Sequence, residues 1–380
     1  MKKCLWGLAA LLIATACGSS DADIEQELSR MTLQEKVGQM FIIRPEALDT
    51  DIFYNTPTEL QSQSVVEVSD KMRQTAQVYP PGGIILFRHN IVDEPQLQQF
   101  MSDLRGILPR KPLMCVDEEG GQVARIANNK NFRVPKFPPM GNVAASGRTK
   151  DVADAATAIG TYLRQYDFDI DFAPVADVNT NPSNIVIGAR AFSNDPEMAA
   201  GMVKAYLKGL QKTGIIGCLK HFPGHGDTHA DSHFGYAMSR KTWNEIASCE
   251  MVTFKAGIDA GAQMIMTAHI SLPNVTGSNI PSTLSPMILQ DKLRGELGYK
   301  GVIITDAMEM GAILRQYPVE DASVMAIKAG VDILLCVREY PKVFDAVVAA
   351  VRRGEIPESR IDESVRRILK LRKSAPGLQK

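Results

Sequence analysis

Eight short, unbroken apolar runs, spaced by stretches of helical periodicity, set what this 380-residue chain can fold into. They are Met40 to Arg44, Gly82 to Phe87, Pro112 to Val116, Ile170 to Pro174, Ile215 to Leu219, Gln263 to Thr267, Gly301 to Thr305 and Val331 to Cys336. A strand with one wet face alternates polar and apolar residues. Continuous runs instead require burial on both faces, as in a parallel sheet covered by helices. Between most of them lie helical patterns such as Val152 to Tyr166 and Glu197 to Gly214, the second ending on a glycine suited to a helix C-cap. Thr32 to Glu35 (TLQE) reads as a capping box that starts a helix.

Eight β-then-α units predict an α/β fold, a single (β/α)8 TIM-like barrel. An open doubly wound sheet is the alternative, although eight parallel strands in one open sheet are less common. Length alone leaves one large domain or two small ones open, since barrels of this class routinely exceed 250 residues as one unit. No Pro/Ser-rich linker divides the chain. The expected organisation is a leader and tether over residues 1–20 and one barrel domain over 21–380, with no room for a second. The connection from Pro45 to Pro81 is longer than the others, and its first part, through Ser64, reads as a surface excursion.

Polar and ionisable residues gather just after the apolar runs: Arg88 and His89, Asp117 to Glu119, Asp177, Lys220 and His221, His269, and Asp306. These positions are the carboxyl ends of the strands, where barrel enzymes keep their chemistry. One active site built from many loops at that end is the natural reading.

A net charge of -1 supplies no basic field to steer a nucleic acid or an acidic surface, so neither is expected as a partner. The leader MKKCLWGLAALLIATACGSS has two lysines before about a dozen apolar residues, which is short for a bilayer span and suits a secretory signal. Ala14, Thr15 and Ala16 lead to Cys17 and then to polar GSSDAD, which resembles a bacterial lipoprotein cleavage site. The chain is therefore expected to be exported, facing the periplasm or cell surface, and to touch a membrane only through a lipid on Cys17. Ala14 stands where such sites usually carry leucine, so cleavage without a lipid stays open. Cys115, Cys218, Cys249 and Cys336 have long gaps and no CxxC, and neither a disulfide framework nor a zinc cluster is expected.

Four of the six histidines fall in KHFPGHGDTHADSHFG, Lys220 to Gly235, at intervals of four residues. A helical metal ladder is ruled out locally, because Pro223, Gly224 and Gly226 break a helix at that point. The histidines are four apart in irregular chain with no His-x-His pair, so no metal and no cofactor is expected. Asp231 and His233 form a different unit. A carboxylate two residues from an imidazole can accept its N–H, fix the tautomer and raise its proton affinity, as a general acid near neutral pH requires. The same pair would equally knit a surface loop.

KHFPGHGDTHADSH is similar to the signature of glycoside hydrolase family three, in its β-N-acetylglucosaminidase branch. VDEEGGQVARI (Val116 to Ile126), FAPVADVNTNP (Phe172 to Pro182), GARAFSNDP (Gly188 to Pro196), ITDAMEMGAI (Ile304 to Ile313) and SRIDESVRRILKLR (Ser359 to Arg372) resemble family segments in the same order. The resemblance implies Asp306 as nucleophile, His233 as acid/base and Asp231 as its dyad partner. It also implies sugar-hydroxyl contacts for Lys220 and His221, and a pocket for terminal N-acetylglucosamine lined by Asp117, Arg125 and Arg190. Lys220, Arg125 and Arg190 are expected to hold Asp306 ionised; as structural salt bridges across barrel loops they would do no more than brace them. Glu118, Glu119 and Glu309 are rival carboxylates: Glu309 is expected at the start of the following helix, and a glutamate of the EEGG pair is the alternative acid should His233 not serve.

The function implied is a retaining exo-β-N-acetylglucosaminidase acting through a covalent glycosyl-enzyme on Asp306. Its expected substrates are β-linked GlcNAc oligosaccharides, either muropeptide fragments of peptidoglycan or chitin-type chains. Alternatives are a β-glucosidase or β-xylosidase of the same family, a metal-dependent barrel hydrolase, and a non-catalytic sugar-binding lipoprotein. The loops Pro45 to Pro81 and Asn128 to Pro139 are expected to shape the leaving-group side.

Overall fold

A computed structural model describes residues 15–52, 64–230 and 237–378. The eight apolar runs become eight barrel strands: β1 Phe41–Ile43, β2 Gly83–Ile85, β3 Leu113–Val116, β4 Ile170–Asp171, β5 Ile216–Phe222, β6 Met264–Thr267, β7 Val302–Ala307 and β8 Ile333–Leu335. All pair in parallel, and β8 closes on β1 with Phe41 opposite Leu334 and Ile42 opposite Leu335. That closure removes the open doubly wound alternative. Residues of β1, β2, β3, β6 and β8 are buried throughout. Helices such as Thr149–Gln165, Pro196–Thr213 and Tyr340–Arg352 cover the outside.

Local signals behave as their chemistry requires. Thr32 and Glu35 form the reciprocal capping box at Leu33–Gln39, with Thr32 N–H donating to Glu35 Oε2 at 2.7 Å. Gly214 ends its helix in the left-handed region at φ 81°, a backbone that only glycine adopts at low cost. Helix Thr15–Arg30 runs across residue 20 and docks by Ile24 and Leu28, both buried, against Glu358–Ser374. Arg366 reinforces that docking through Glu25.

The amino ends of the strands are held by two buried carboxylates. Asp169, just before β4, accepts from Met114 N–H at 3.0 Å and from Arg105 at 2.8 Å. Asp332, just before β8, accepts from Ile303 N–H at 2.9 Å, Ser364 Oγ at 2.7 Å and Arg294 at 2.6 Å. Each staples adjacent strands at the face opposite the chemistry, where barrels keep their stabilising groups.

The segment after β1 departs from the expected surface excursion at its start. Pro45–Leu48 is a single 3-10 turn in which Pro45, Glu46 and Leu48 are buried. Residues 53–63 lie outside the described part.

Candidate active site

The carboxyl ends of the strands bring most of the sequence-selected residues together. Asp117 follows β3; Lys220 and His221 lie within the last turn of β5, which extends to Phe222 and so is longer than the apolar run alone; Asp306 is the fifth residue of β7. The register places Phe222, Thr267 and Thr305 at one level, so Asp306 stands one residue higher toward the mouth.

Lys220 is the centre of an alternating-charge chain. Its Nζ lies 2.8 Å from Asp117 Oδ1 and 2.6 Å from Glu119 Oε1, with the side chain only 3 % exposed. Arg125 meets the other Asp117 oxygen at 3.2 Å. Arg190 grips Glu119 with two parallel bonds of 2.9 and 2.8 Å, the bidentate geometry a guanidinium favours. The order Arg125, Asp117, Lys220, Glu119, Arg190 leaves one net positive charge in the cradle. Burial would raise both carboxyls, but Lys220 with Arg125 outweighs it at Asp117, and Lys220 with Arg190 at Glu119, holding both below the usual carboxylate range. Burial pulls down on Lys220 and Arg190, and the same carboxylates push both above their ordinary values.

These pairs correct one expectation. Lys220, Arg125 and Arg190 spend their charge on Asp117 and Glu119, and among the described residues Asp306 has no ion pair. Asp306 is half-buried, and its Oδ1 accepts from Ala307 N–H at 2.7 Å. Its second oxygen has no hydrogen-bond partner among the described residues, which leaves one carboxylate oxygen for chemistry. The neighbours that feel its charge include His225 and His269, although burial still lowers the proton affinity of both rings. His269 Nε2 lies 3.0 Å from Ala307 O, so this nitrogen must donate, and Nδ1 lies 2.8 Å from Thr283 Oγ1. The ring thus fixes the backbone next to Asp306.

Asp177 organises the histidine stretch. It accepts from His221 Nδ1 at 2.7 Å and from His225 N–H at 2.6 Å. Because the carboxylate only accepts, His221 presents Nε2 away from it. The turn that follows is irregular, as the proline and glycines dictate, and it is stapled to the loop after β4. Asn181 N–H donates to Gly226 O at 3.1 Å and Asn184 Nδ2 to His225 O at 2.7 Å. Gly226 has to be glycine: a Cβ there would stand 1.9 Å from Val178 O. Past the turn, His229–Ala230 pairs antiparallel with Ala237–Met238. Asp231 and His233, the expected dyad, lie between those two rungs and outside the described residues.

The rival carboxylates are each committed elsewhere. Glu118 accepts from the N–H groups of Arg125, Ile126 and Ala127 and from Tyr162 Oη, a buried structural cap. Glu119, held ionised by two cations, is no proton donor; sequence reasoning offered it as an alternative acid and missed its role as the tie between Lys220 and Arg190. Glu309 is not at a helix start but in the turn after β7, paired with Arg44 from the tip of β1. Arg44 in turn lies 3.7 Å over the Phe87 ring, with Arg125 on the same ring at 5.5 Å. Neither Arg44 nor Phe87 was singled out from sequence, and their only signal was position at the end of an apolar run. Among the described residues no group of three or more His, Cys, Asp or Glu side chains is arranged to hold a metal ion.

The carboxyl end of the closed barrel thus carries Asp306, which has no ion pair among the described residues, and a buried cradle of alternating charges around Lys220. The family model described as "Glycosyl hydrolase family 3 N terminal domain" matches residues 32–371, and the chain belongs to that family. It is 33% identical over 292 residues to a beta-hexosaminidase of Stenotrophomonas maltophilia, covering 75% of this chain and 84% of that one. It is 32% identical over 330 residues to beta-hexosaminidase A of Pseudoalteromonas piscicida, covering 78% of this chain and 54% of that protein. Among solved structures it superposes with a TM-score of 0.80 on a glycoside hydrolase family 3 beta-N-acetylglucosaminidase from Paenibacillus sp., at 35% identity. That match covers 90% of this chain and 62% of the other, so the chain spans little more than half the length of some of its relatives.

Proposed function

We propose that this chain is a retaining exo-β-N-acetylglucosaminidase. The observation that carries the reading is Asp306: a half-buried carboxylate at the tip of β7, one oxygen fixed by Ala307 N–H and the other without a hydrogen-bond partner among the described residues. A carboxylate oxygen left free in this way is available to attack an anomeric carbon. Beta-hexosaminidases and a beta-N-acetylglucosaminidase among the similar proteins support the substrate class.

In the first step an Asp306 oxygen attacks the anomeric carbon while the glycosidic bond breaks, and the departing oxygen takes a proton from His233. Asp231 accepts the other imidazole N–H and holds the tautomer. In the second step His233 removes a proton from water, the water oxygen bonds to the same carbon, and the Asp306 ester is released with net retention. Asp117, Lys220 and His221, with Arg125 and Arg190, hold the terminal sugar; Arg125 Nε is buried without a partner among the described residues, a donor still to be satisfied. The engagement of Glu118, Glu119 and Glu309 supports His233 over a glutamate acid. The substrates are muropeptide fragments or chitin oligosaccharides met outside the cytoplasm, by a chain exported through its leader and anchored by a lipid on Cys17.

The test pairs 4-nitrophenyl β-N-acetylglucosaminide with the β-glucoside, for the parent, Asp306→Ala and His233→Ala. Turnover of the acetamido substrate alone is expected, with kcat lowered by roughly a thousandfold or more in Asp306→Ala. His233→Ala should lose less on this activated leaving group than on a disaccharide. Equal turnover of the β-glucoside moves the reading to a β-glucosidase, and a fully active His233→Ala removes the dyad. Intact mass of the membrane-extracted protein tests the Cys17 lipid.

A further inference from the structure

We infer that the amino-end face of the barrel is the surface this protein turns toward a lipid bilayer, so that the mouth opens away from the membrane; this rests on the Cys17 lipid proposed above. What carries it is where the helix containing Cys17 is docked.

Helix Glu358–Ser374 lies across the starts of the strands. Arg360 donates to Val331 O at 2.7 Å and Arg367 to Asp332 Oδ1 at 2.9 Å, both just before β8. Farther along, Arg372 donates to Gly82 O at 3.2 Å, before β2, and to Lys111 O at 2.6 Å, before β3. At its last residue Ser374 Oγ accepts from Gln263 Nε2 at 2.7 Å, next to β6. A helix that touches the starts of four strands closes the floor of the barrel, opposite Asp306.

Helix Thr15–Arg30 is fastened to that floor. Glu25 meets Arg366 at 3.0 Å and Asp21 meets Lys370 at 2.9 Å, which makes the two helices antiparallel. Glu27 pairs with Arg110, in the connection leading into β3. Exposed ion pairs of this kind contribute little singly. Ile24 and Leu28, one turn apart and both buried, contribute about 1.5–3 kcal/mol each. Cys17 belongs to the same helix, one turn or about 6 Å before Asp21. A lipid on it therefore holds the floor against the head groups rather than trailing the barrel on a long tether.

The distances then decide what the site can reach. Asp306 stands about 13 Å along β7 from Val302, and the floor helix adds a layer of about 10 Å. The reacting carbon is thus roughly 20 Å or more from the anchored face, on the far side of the barrel. A sugar carried by a membrane lipid lies at the wrong end. The substrates are water-borne chains or fragments that arrive from the side away from the bilayer.

Two single fluorophores test this, on Lys300→Cys, exposed just before β7, and on Ile185→Cys, exposed in the loop after β4. Both are made with Cys249→Ser, since Cys115, Cys218 and Cys336 are buried. The membrane-extracted chain is reconstituted in phosphatidylcholine vesicles containing an acceptor-labelled lipid. Energy transfer from the Lys300 position should be at least about twofold more efficient than from the Ile185 position. Ile24→Asp with Leu28→Asp undocks the helix, which lies outside the family match at 32–371. The two efficiencies should then converge, while turnover of 4-nitrophenyl β-N-acetylglucosaminide stays within about twofold. Equal transfer in the parent, or stronger transfer from Ile185, overturns the orientation and leaves the lipid and enzyme readings intact. A parent without the lipid mass that fails to bind vesicles overturns the anchor and this inference with it, and its turnover of the chromogenic substrate still reports on the enzyme.

Discussion

Glu119 and Lys220 meet at 2.6 Å in the barrel mouth, and Arg190 grips the same carboxylate from the other side. One glutamate thus fixes two cations at the barrel mouth, Lys220 on β5 and Arg190 in the loop after β4. It is a positioning residue, and its loss should act through Lys220 and Arg190.

Glu119→Gln leaves a nearly buried lysine with half its compensation. Breaking one partner of a buried pair costs about 3 kcal/mol, to be read by urea denaturation. KM for the N-acetylglucosaminide should rise more than kcat falls, because the two cations lose their aim before Asp306 loses its chemistry. A stable variant with parental KM would mean that Asp117 alone positions Lys220.

The same network sets an acid limit. Asp117 and Glu119 are depressed in the fold, so they contribute stability that is fully present above the unfolded carboxylate value of about 4 and is lost as pH falls through their folded values. Thermal stability measured downward from pH 5 should therefore decline, and the decline should be shallower in Asp117→Asn, which binds no proton in this range. An unchanged slope in that variant would place the acid sensitivity elsewhere, for example at Asp177.

Asp171 behaves in the opposite sense. Burial first, then the nearby Glu118 and Asp117 charges, push its carboxyl well above the ordinary range, and its Oδ2 has no hydrogen-bond partner among the described residues. A raised carboxyl favours the fold below the unfolded value and loses that advantage as pH rises. Asp171→Asn keeps an oxygen for Glu118 N–H, bonded at 2.9 Å. The variant should be as stable as the parent or more stable at neutral pH, and less stable relative to it near pH 4. A clear loss at neutral pH would show that the charged form is needed.

Gly226→Ala tests the stapled turn after β5. The added methyl would stand 1.9 Å from a backbone carbonyl, which no side-chain rotation relieves. The turn must shift, and kcat should fall about tenfold or more with the far-ultraviolet circular dichroism unchanged, since the barrel strands do not share the contact. Parental kcat would show that the turn's placement does not govern the reaction.

The sequence by itself determined the eight strands and the face that carries the chemistry. Continuous apolar runs separated by helices require a parallel sheet covered on both faces, and in either a barrel or an open sheet the first polar residue after each run emerges at the carboxyl edge; only the pairing of β8 with β1 decided for the barrel. Asp306, Lys220, His221 and Asp117 were legible on that ground, and the break at Pro223 to Gly226 was legible from backbone sterics. What only the tertiary structure decided is which charge meets which. Glu119 lies 71 residues from Arg190 in the chain, and Arg44 lies 265 from Glu309. In the sequence Glu118 and Glu119, side by side after a strand run, stood as rival carboxylates to the residues chosen for chemistry. Strand closure separated them: Glu118 onto backbone N–H groups, Glu119 between two cations, and Asp306 without an ion pair among the described residues. Coulomb energy depends on distance through space, and in a closed barrel that distance is set by strand order and register rather than by position along the chain.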